Sequence, residues 1–204
     1  MKILIGVPCM ESLPVEYVNS LLRLTKPHTT EIMHFPLSLV YVAREKIVDY
    51  AIKNEYDYVL FVDSDMVLPQ ETLVTLLEHK KDIVSGAAYM RKPPYKPCFY
   101  EKLTLGKGNE ITCESFTDYP KGLIKAEGIG MACCLIRTQV FKDIYESGQP
   151  SFFPIMGYGE DLAFCLRARR AGYEIYVDTA LQIGHIGSTI ITEDTYFAWN
   201  GVQR

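Results

Sequence analysis

No apolar run in these 204 residues reaches the length that spans a bilayer, so no transmembrane helix is expected. The sequence has no C-x-x-C pair, which argues against a structural zinc site. It has no N-x-S/T sequon. Met1-Lys2 leads directly into Ile3-Leu4-Ile5-Gly6-Val7, too short for the apolar region and cleavage site of a secretory signal. An excess of positive charge is also missing. Lys and Arg number 21 against 25 Asp and Glu, a formal net charge of −4, so nucleic acid is not the expected partner. There is no internal repeat and no low-complexity tract. Together these absences point to a reducing, cytoplasmic setting.

What is present is an ordinary globular balance of 48% hydrophobic and 23% charged residues, enough for one domain with its own core. The six cysteines do not read as a disulfide frame. Cys133 and Cys134 sit inside the apolar run Met131 to Ile136, where cysteine serves as a small hydrophobe. Short basic groups at Lys80-Lys81 and Arg169-Arg170 read as solvated surface.

Hydrophobic periodicity predicts strands at 3–7, 58–62, 83–86, 129–136 and 173–177, with a weaker one at 30–35. It predicts helices over 13–24, with Val15, Val18, Leu21 and Leu22 at helical spacing, and over 43–54, with Ile47, Tyr50 and Ala51 on one face. Further helices are expected from Pro69 through Leu77, over 141–147, and over 159–171, the last stopped by Gly172. Strands alternating with helices imply an α/β fold with a mostly parallel central sheet flanked by helices. Residues 91–119, rich in Pro, Gly, Lys and Thr, read as surface loop with short strands. The chain is expected to form a single domain, with residues 1–90 as a nucleotide-binding half and 91–204 as an acceptor-side half and tail.

Ligands of open α/β sheets bind beyond the carboxyl ends of the strands. Three features fall there. Asp63-Ser64-Asp65 follows the buried run Tyr58 to Val62, and two carboxylates beside a buried strand are costly unless a positive group joins them. A hard divalent cation, Mg²⁺ or Mn²⁺, is suited to that place; the plain alternative is a pair of acids facing water or capping a helix. Gly157-Tyr158-Gly159-Glu160-Asp161 opens a helix, where Asp161 is either a capping acid or a carboxylate that takes a proton from an acceptor hydroxyl. His185, between Gly184 and Gly187, is either structural or the completing ligand of a metal site. His28, His34 and His79 have no such setting and read as structural.

In this order the residues resemble the GT-A fold glycosyltransferases of the family 2 type. The likeness lies in Phe61-Val62-Asp63-Ser64-Asp65, in Gly159 through Ala168, and in Ala171-Gly172-Tyr173-Glu174-Ile175, and it extends over residues 1 to about 188. The resemblance implies that Asp65 binds the metal, with Asp63 and Ser64 near ribose and metal and His185 as a further metal contact. It implies that Pro8, Cys9 and Glu11 line the base and ribose pocket, and that Arg44 reaches the nucleotide. It implies that Arg91 and its loop close over the phosphates, that Gly128 and Gly130 let the backbone pass the donor sugar, and that Asp161 with Glu160 faces the acceptor hydroxyl. The expected cofactor is Mn²⁺ or Mg²⁺, and the expected partners are a nucleotide-sugar donor, UDP-linked first and GDP-linked second, and an unidentified acceptor. Inverting transfer by single displacement is implied. His34 to Ser38 carries no carboxylate for the base, so base identity stays open. Two rivals remain: a haloacid-dehalogenase-like phosphohydrolase, to which Asp63-Ser64-Asp65-Met66-Val67 also conforms, and a nucleotide-sugar-binding module without turnover.

Overall fold

The computed structural model describes residues 1–201 except His28, Leu37, Asn109, Met156, Gly157 and Ser188. The chain begins with β1 (Ile3–Cys9), α1 (Val15–Arg23), β2 (Thr30–Pro36), α2 (Val40–Lys53), β3 (Tyr58–Val62), β4 (Met66–Val67), α3 (Thr72–Glu78) and β5 (Ile83–Ala87). It continues with β6 (Phe99–Leu105), β7 (Ile111–Ser115), β8 (Leu123–Ala126), β9 (Gly128–Ile129), β10 (Cys133–Arg137), α4 (Thr138–Glu146) and α5 (Glu160–Arg170). It ends with β11 (Ile175–Gln182), β12 (Gly184–Ile186), β13 (Ile190–Ile191) and α6 (Glu193–Asn200).

The main sheet has seven strands in the order β2-β1-β3-β10-β5-β11-β8. Strands β2, β1 and β3 run parallel, as do β5 and β11; β10 is antiparallel to both its neighbours and β8 to β11. This is the expected α/β architecture with a mostly parallel sheet. Alternation along each strand sends side chains to two cores. Ile3, Ile5, Val7, Leu60 and Val62 face Tyr17, Leu21, Leu73 and Leu76 from α1 and α3. Leu4, Val59 and Phe61 face Ile47 and Val48 of α2, with Phe141 of α4 and Phe164 of α5 in the same core. There Phe61, Phe141, Phe152 and Phe164 form one aromatic cluster, with the Phe152 and Phe164 rings stacked at 4.9 Å. The division at residue 90 follows the chain and not the sheet, because β10 from the second half is inserted between β3 and β5 of the first.

Several local expectations need correction. In α1 the buried face is Tyr17, Ser20 and Leu21; Val15 and Leu22 are exposed. A tyrosine supplies the apolar area that the Val/Leu count assigned elsewhere. Helix α3 starts at Thr72, not at Pro69, whose carbonyl instead accepts from Thr72. The short strands expected within 91–119 pair as an antiparallel hairpin, β6 with β7, with an irregularity between Tyr100 and Lys102, and β9 completes it into a second, three-stranded sheet. The run 129–136 is not one strand. It breaks at Gly130-Met131-Ala132, where the chain leaves that sheet and enters the main one as β10. All six cysteines are free thiols, and Cys133 and Cys134 are fully buried in β10 as small hydrophobes. Among the described residues no helix is long and apolar enough to cross a membrane.

Candidate functional site

Strand β1 is followed by β2 on one side and β3 on the other, so the strand order switches between β1 and β3. A crevice opens at the carboxyl ends of strands at such a point. Pro8 and Cys9 end β1, Ser38 and Val40 follow β2, and Asp63, Ser64 and Asp65 follow β3; together with Met10 they line one cleft of about 220 Å³. Five predicted residues thus come together. Glu11 does not line this cleft and is exposed. Ser38, Val40 and Met10 were missed; the signal available was their place just past the ends of β1 and β2.

Asp65 and His185 are 120 residues apart and meet through a third sheet. Strand β4, directly after Asp65, pairs with β12, placing Met66 opposite His185, and Ile186 N–H donates to the Asp65 carbonyl at 2.8 Å. The His185 Nε2 consequently lies 3.3 Å from Asp65 Oδ2. Its Nδ1 lies 2.6 Å from the carbonyl oxygen of Tyr89, which can only accept, so Nδ1 carries the hydrogen. Nε2 then faces a carboxylate. Two states satisfy that contact: a doubly protonated ring, or a neutral ring whose Nε2 lone pair shares a cation with Asp65. A separation of 3.3 Å is near that of adjacent ligands around one cation, since metal–ligand bonds of about 2.1 Å at right angles put the ligand atoms about 3 Å apart. Asp65 is also 2.9 Å from Arg91 Nη1. Burial pushes its carboxyl upward, but hydrogen bonding and charge from His185, and charge from Arg91, hold it below the ordinary range. Among the described residues no cluster of three or more His, Cys, Asp or Glu side chains forms a metal cage. Asp65 and His185 are the pair that could hold a cation, leaving other positions to a ligand such as phosphate. Tyr89 was missed as the residue that fixes the imidazole, because a backbone carbonyl carries no side-chain signature.

Arg44 corrects the sequence reading. Its side chain does not open to the cleft. It is 3% exposed, with Nη2 2.6 Å from Asp63 Oδ1 and Nη1 bonded to Glu160 Oε1. Burial works against its charge, yet Asp63, Glu160 and Asp161 more than offset this and raise its pKa. Its Nε is buried without a partner. Arg44 therefore ties the turn after β3 to the start of α5. Gly6 permits this, because a Cβ there would overlap Ile47 Cγ2 and push α2 off β1.

Glu160 and Asp161 form the first turn of α5 as expected. Asp161 Oδ1 accepts from its neighbour's Leu162 N–H at 2.8 Å, and a Cβ at residue 159 would lie 2.7 Å from the same oxygen, which explains the glycine before the helix. Burial pushes the Asp161 carboxyl up to about 6, opposed by Arg44 and assisted by Glu160 and Asp63. Gly157 lies outside the described residues. Gly130 lies beside the site, where an added Cβ would be 3.7 Å from Asp161 Oδ2 and 3.4 Å from Cys98 Cβ. Gly128 is instead packed into the protein, against Leu103, Tyr100 and Leu162. The other histidines are engaged elsewhere: His34 with Tyr17 at 3.1 Å, and His79 with Asp178 at 2.8 Å. His28 lies outside the described residues.

No family model matches this chain, and no curated protein matches it. Among solved structures it is similar to the crystal structure of A197 from STIV, with a TM-score of 0.64 and 20% identity over 91% of this chain and 86% of that one. At that identity the likeness is one of fold.

Proposed function

We propose that this chain is a glycosyltransferase of the GT-A type, moving a sugar from a nucleotide-diphosphate sugar to an acceptor hydroxyl with a divalent cation, Mn²⁺ or Mg²⁺. The observation that carries the reading is the pairing of Asp65 with His185, at 3.3 Å, beside a cleft whose Asp63 is tied by Arg44 to Glu160, the neighbour of the raised carboxyl of Asp161. The donor's base and ribose fit the cleft between Pro8, Cys9, Met10 and Val40, with UDP the first candidate and GDP the second. Asp65 and His185 would hold the cation, which when bound supplies charge neutralisation for the departing diphosphate. Arg91 is 55% exposed and rests on Asp65, so its guanidinium stands where a phosphate of the donor would meet the cation.

The chain's own part in the chemistry centres on Asp161. The acceptor oxygen attacks the anomeric carbon, its proton passes to Asp161, and the bonding pair of the anomeric C–O bond leaves with the diphosphate. Attack from the side opposite the leaving group inverts the anomeric centre. A carboxylate with a pKa of about 6 is ionised at neutral pH and more basic than an ordinary one, and such a base contributes about 10²–10⁴-fold. Glu160, occupied by Arg44, positions the helix start rather than moving the proton.

The test is thermal unfolding against a panel of nucleoside diphosphates with and without Mn²⁺. A ligand present at one hundred times its Kd stabilises the native state by about 2.7 kcal/mol. A midpoint rise that needs both cation and one diphosphate supports the reading and identifies the base. No rise with any pair refutes it.

A further inference from the structure

A cavity of about 430 Å³ lies between the C-terminal ends of α4 and α5 and shares no lining residue with the donor cleft. Its volume is in the range of small-ligand pockets. Arg167 and Arg170 line it from α5. Three apart in a helix, they stand on one face, about a turn from each other. The pair Arg169-Arg170 reads in sequence as solvated surface, but the structure divides it. Arg169 turns to the Leu103 carbonyl at 2.8 Å and to Glu127 at 3.3 Å, while Arg170 lines the cavity.

The two cavity guanidiniums lack counter-ions. Arg44, Arg91, Arg137 and Arg169 each form an ion pair with an acid. Among the described residues no carboxylate pairs with Arg167 or Arg170. Arg170 is exposed, where water can serve it. Arg167 is only 8% exposed, and its hydrogen bond is Nη1 to the Ser151 carbonyl at 3.2 Å, which leaves most of its N–H groups for other acceptors. A buried charge without a counter-ion is costly. Burial accordingly lowers the Arg167 pKa; Glu45 opposes this, and the charge of Arg170 adds to it. Glu45 is not the missing counter-ion: its oxygens accept from Phe152 N–H and from the Tyr145 hydroxyl. Basic residues in a last turn complement the helix dipole, which accounts for Arg170 but does not require Arg167 to be buried. One acid, Asp143, shares the cavity, with its oxygens held by the Gln139 amide and the Tyr173 hydroxyl. Two guanidiniums thus face one occupied carboxylate.

Phosphate suits such a lining. A guanidinium fork matches two phosphate oxygens, and two forks a turn apart can take different oxygens of one group. Gln149 adds an amide donor, and Leu105 and Ile155 supply apolar wall for whatever the phosphate carries.

We propose that this cavity is a second ligand site and that its ligand is a small organic phosphate. Arg167 and Arg170 hold the phosphate group, and Leu105 and Ile155 pack against the organic part. The site is independent of the glycosyltransferase reading and needs no cation.

The experiment is isothermal titration calorimetry of the intact protein in EDTA, with phenyl phosphate and with inorganic phosphate as probes. Phenyl phosphate should bind saturably to one site, severalfold more tightly than inorganic phosphate. Arg170→Glu, at an exposed position, should weaken it by about 10-fold or more. Ser147→Glu, also exposed, places a carboxylate at the cavity without touching either arginine and should weaken it severalfold. Arg91→Ala, which removes the guanidinium beside the donor cleft, should leave it unchanged. No saturable binding, binding unaffected by either glutamate variant, or binding lost in Arg91→Ala overturns the site. Equal affinity for the two probes assigns the cavity to free phosphate and overturns the organic ligand.

Discussion

Arg44 and Glu160 stand 116 residues apart in the chain and form an ion pair beneath the cleft, with Arg44 also joined to Asp63. One guanidinium thus fixes the distance between the turn after β3 and the helix that carries Asp161. Among the described residues it is the one cation in an ion pair with Asp63 and Glu160, and its charge opposes the upward push on Asp161.

Removing that charge should cost stability before it costs chemistry. Breaking one partner out of a buried pair costs about 3–5 kcal/mol, and Asp63 is 34% exposed, so the low end applies. Arg44→Met is expected to destabilise by about 3 kcal/mol and lower the melting temperature by about 6–12 °C, read by calorimetry. A change under 2 °C would mean that solvent already compensates Asp63 and Glu160.

Asp161 sets a pH dependence of definite sign. Its folded pKa of about 6 lies above the ordinary carboxylate value, so the folded state binds the extra proton between about pH 4 and 6. Its favourable contribution is present below that window and is lost as pH rises through 6. Asp161→Asn, which cannot ionise, should therefore gain stability relative to the unmodified protein as pH rises from 4 to 7, and the difference should level off above. Urea denaturation at several pH values measures this. Transfer activity should show the opposite limb, rising through about pH 6, and should be lost in Asp161→Asn with diphosphate binding retained. Retained activity would make Asp161 a cap and not a base.

The cation pair gives a third expectation. Asp65→Ala should abolish the Mn²⁺-dependent part of the diphosphate-induced shift. His185→Ala should raise the half-saturating Mn²⁺ concentration at least 10-fold, as loss of even an outer partner of a metal ligand commonly costs 10–100-fold. Titration of the midpoint against Mn²⁺ separates the two. Equal responses in all three proteins would place the cation elsewhere.

A fourth concerns packing behind the site. Gly6→Ala puts a methyl into Ile47 and should cost about 1–3 kcal/mol, seen as a lower urea midpoint at an unchanged slope. Because α2 carries Arg44, the same variant should weaken diphosphate binding. A neutral result would mean that α2 shifts without loss.

The parts of this fold that could be read in the sequence are those where one face is buried against a regular element. Strand β3 and the acid turn behind it were legible, since five apolar residues ending in Asp63 leave little choice. So was α5, with acids at its start, basic residues in its last turn and Gly172 in the left-handed conformation after it. The short strands were not. β4, β12 and β13 have two or three residues each, too few to show a period, and they exist because they pair with one another. Arg44 was misread for a related reason. A helix position that is polar in sequence is assumed to face water or ligand, and only the tertiary meeting of Asp63 and Glu160 turns it inward. Helix α6 was missed because its Tyr196 is buried against Tyr89, a contact a hundred residues away in the chain.

The pairing of β4 with β12 has a consequence for how such a site can be lost. His185 faces Asp65 because it stands opposite Met66, and side chains along a strand alternate. Inserting or deleting a single residue between Ile183 and His185 would turn the imidazole to the other side of that small sheet. The pairing of the seven main strands does not depend on that register. Here the spelling of the chain matters less than its length: a protein could keep every named side chain, fold normally, and still be mute.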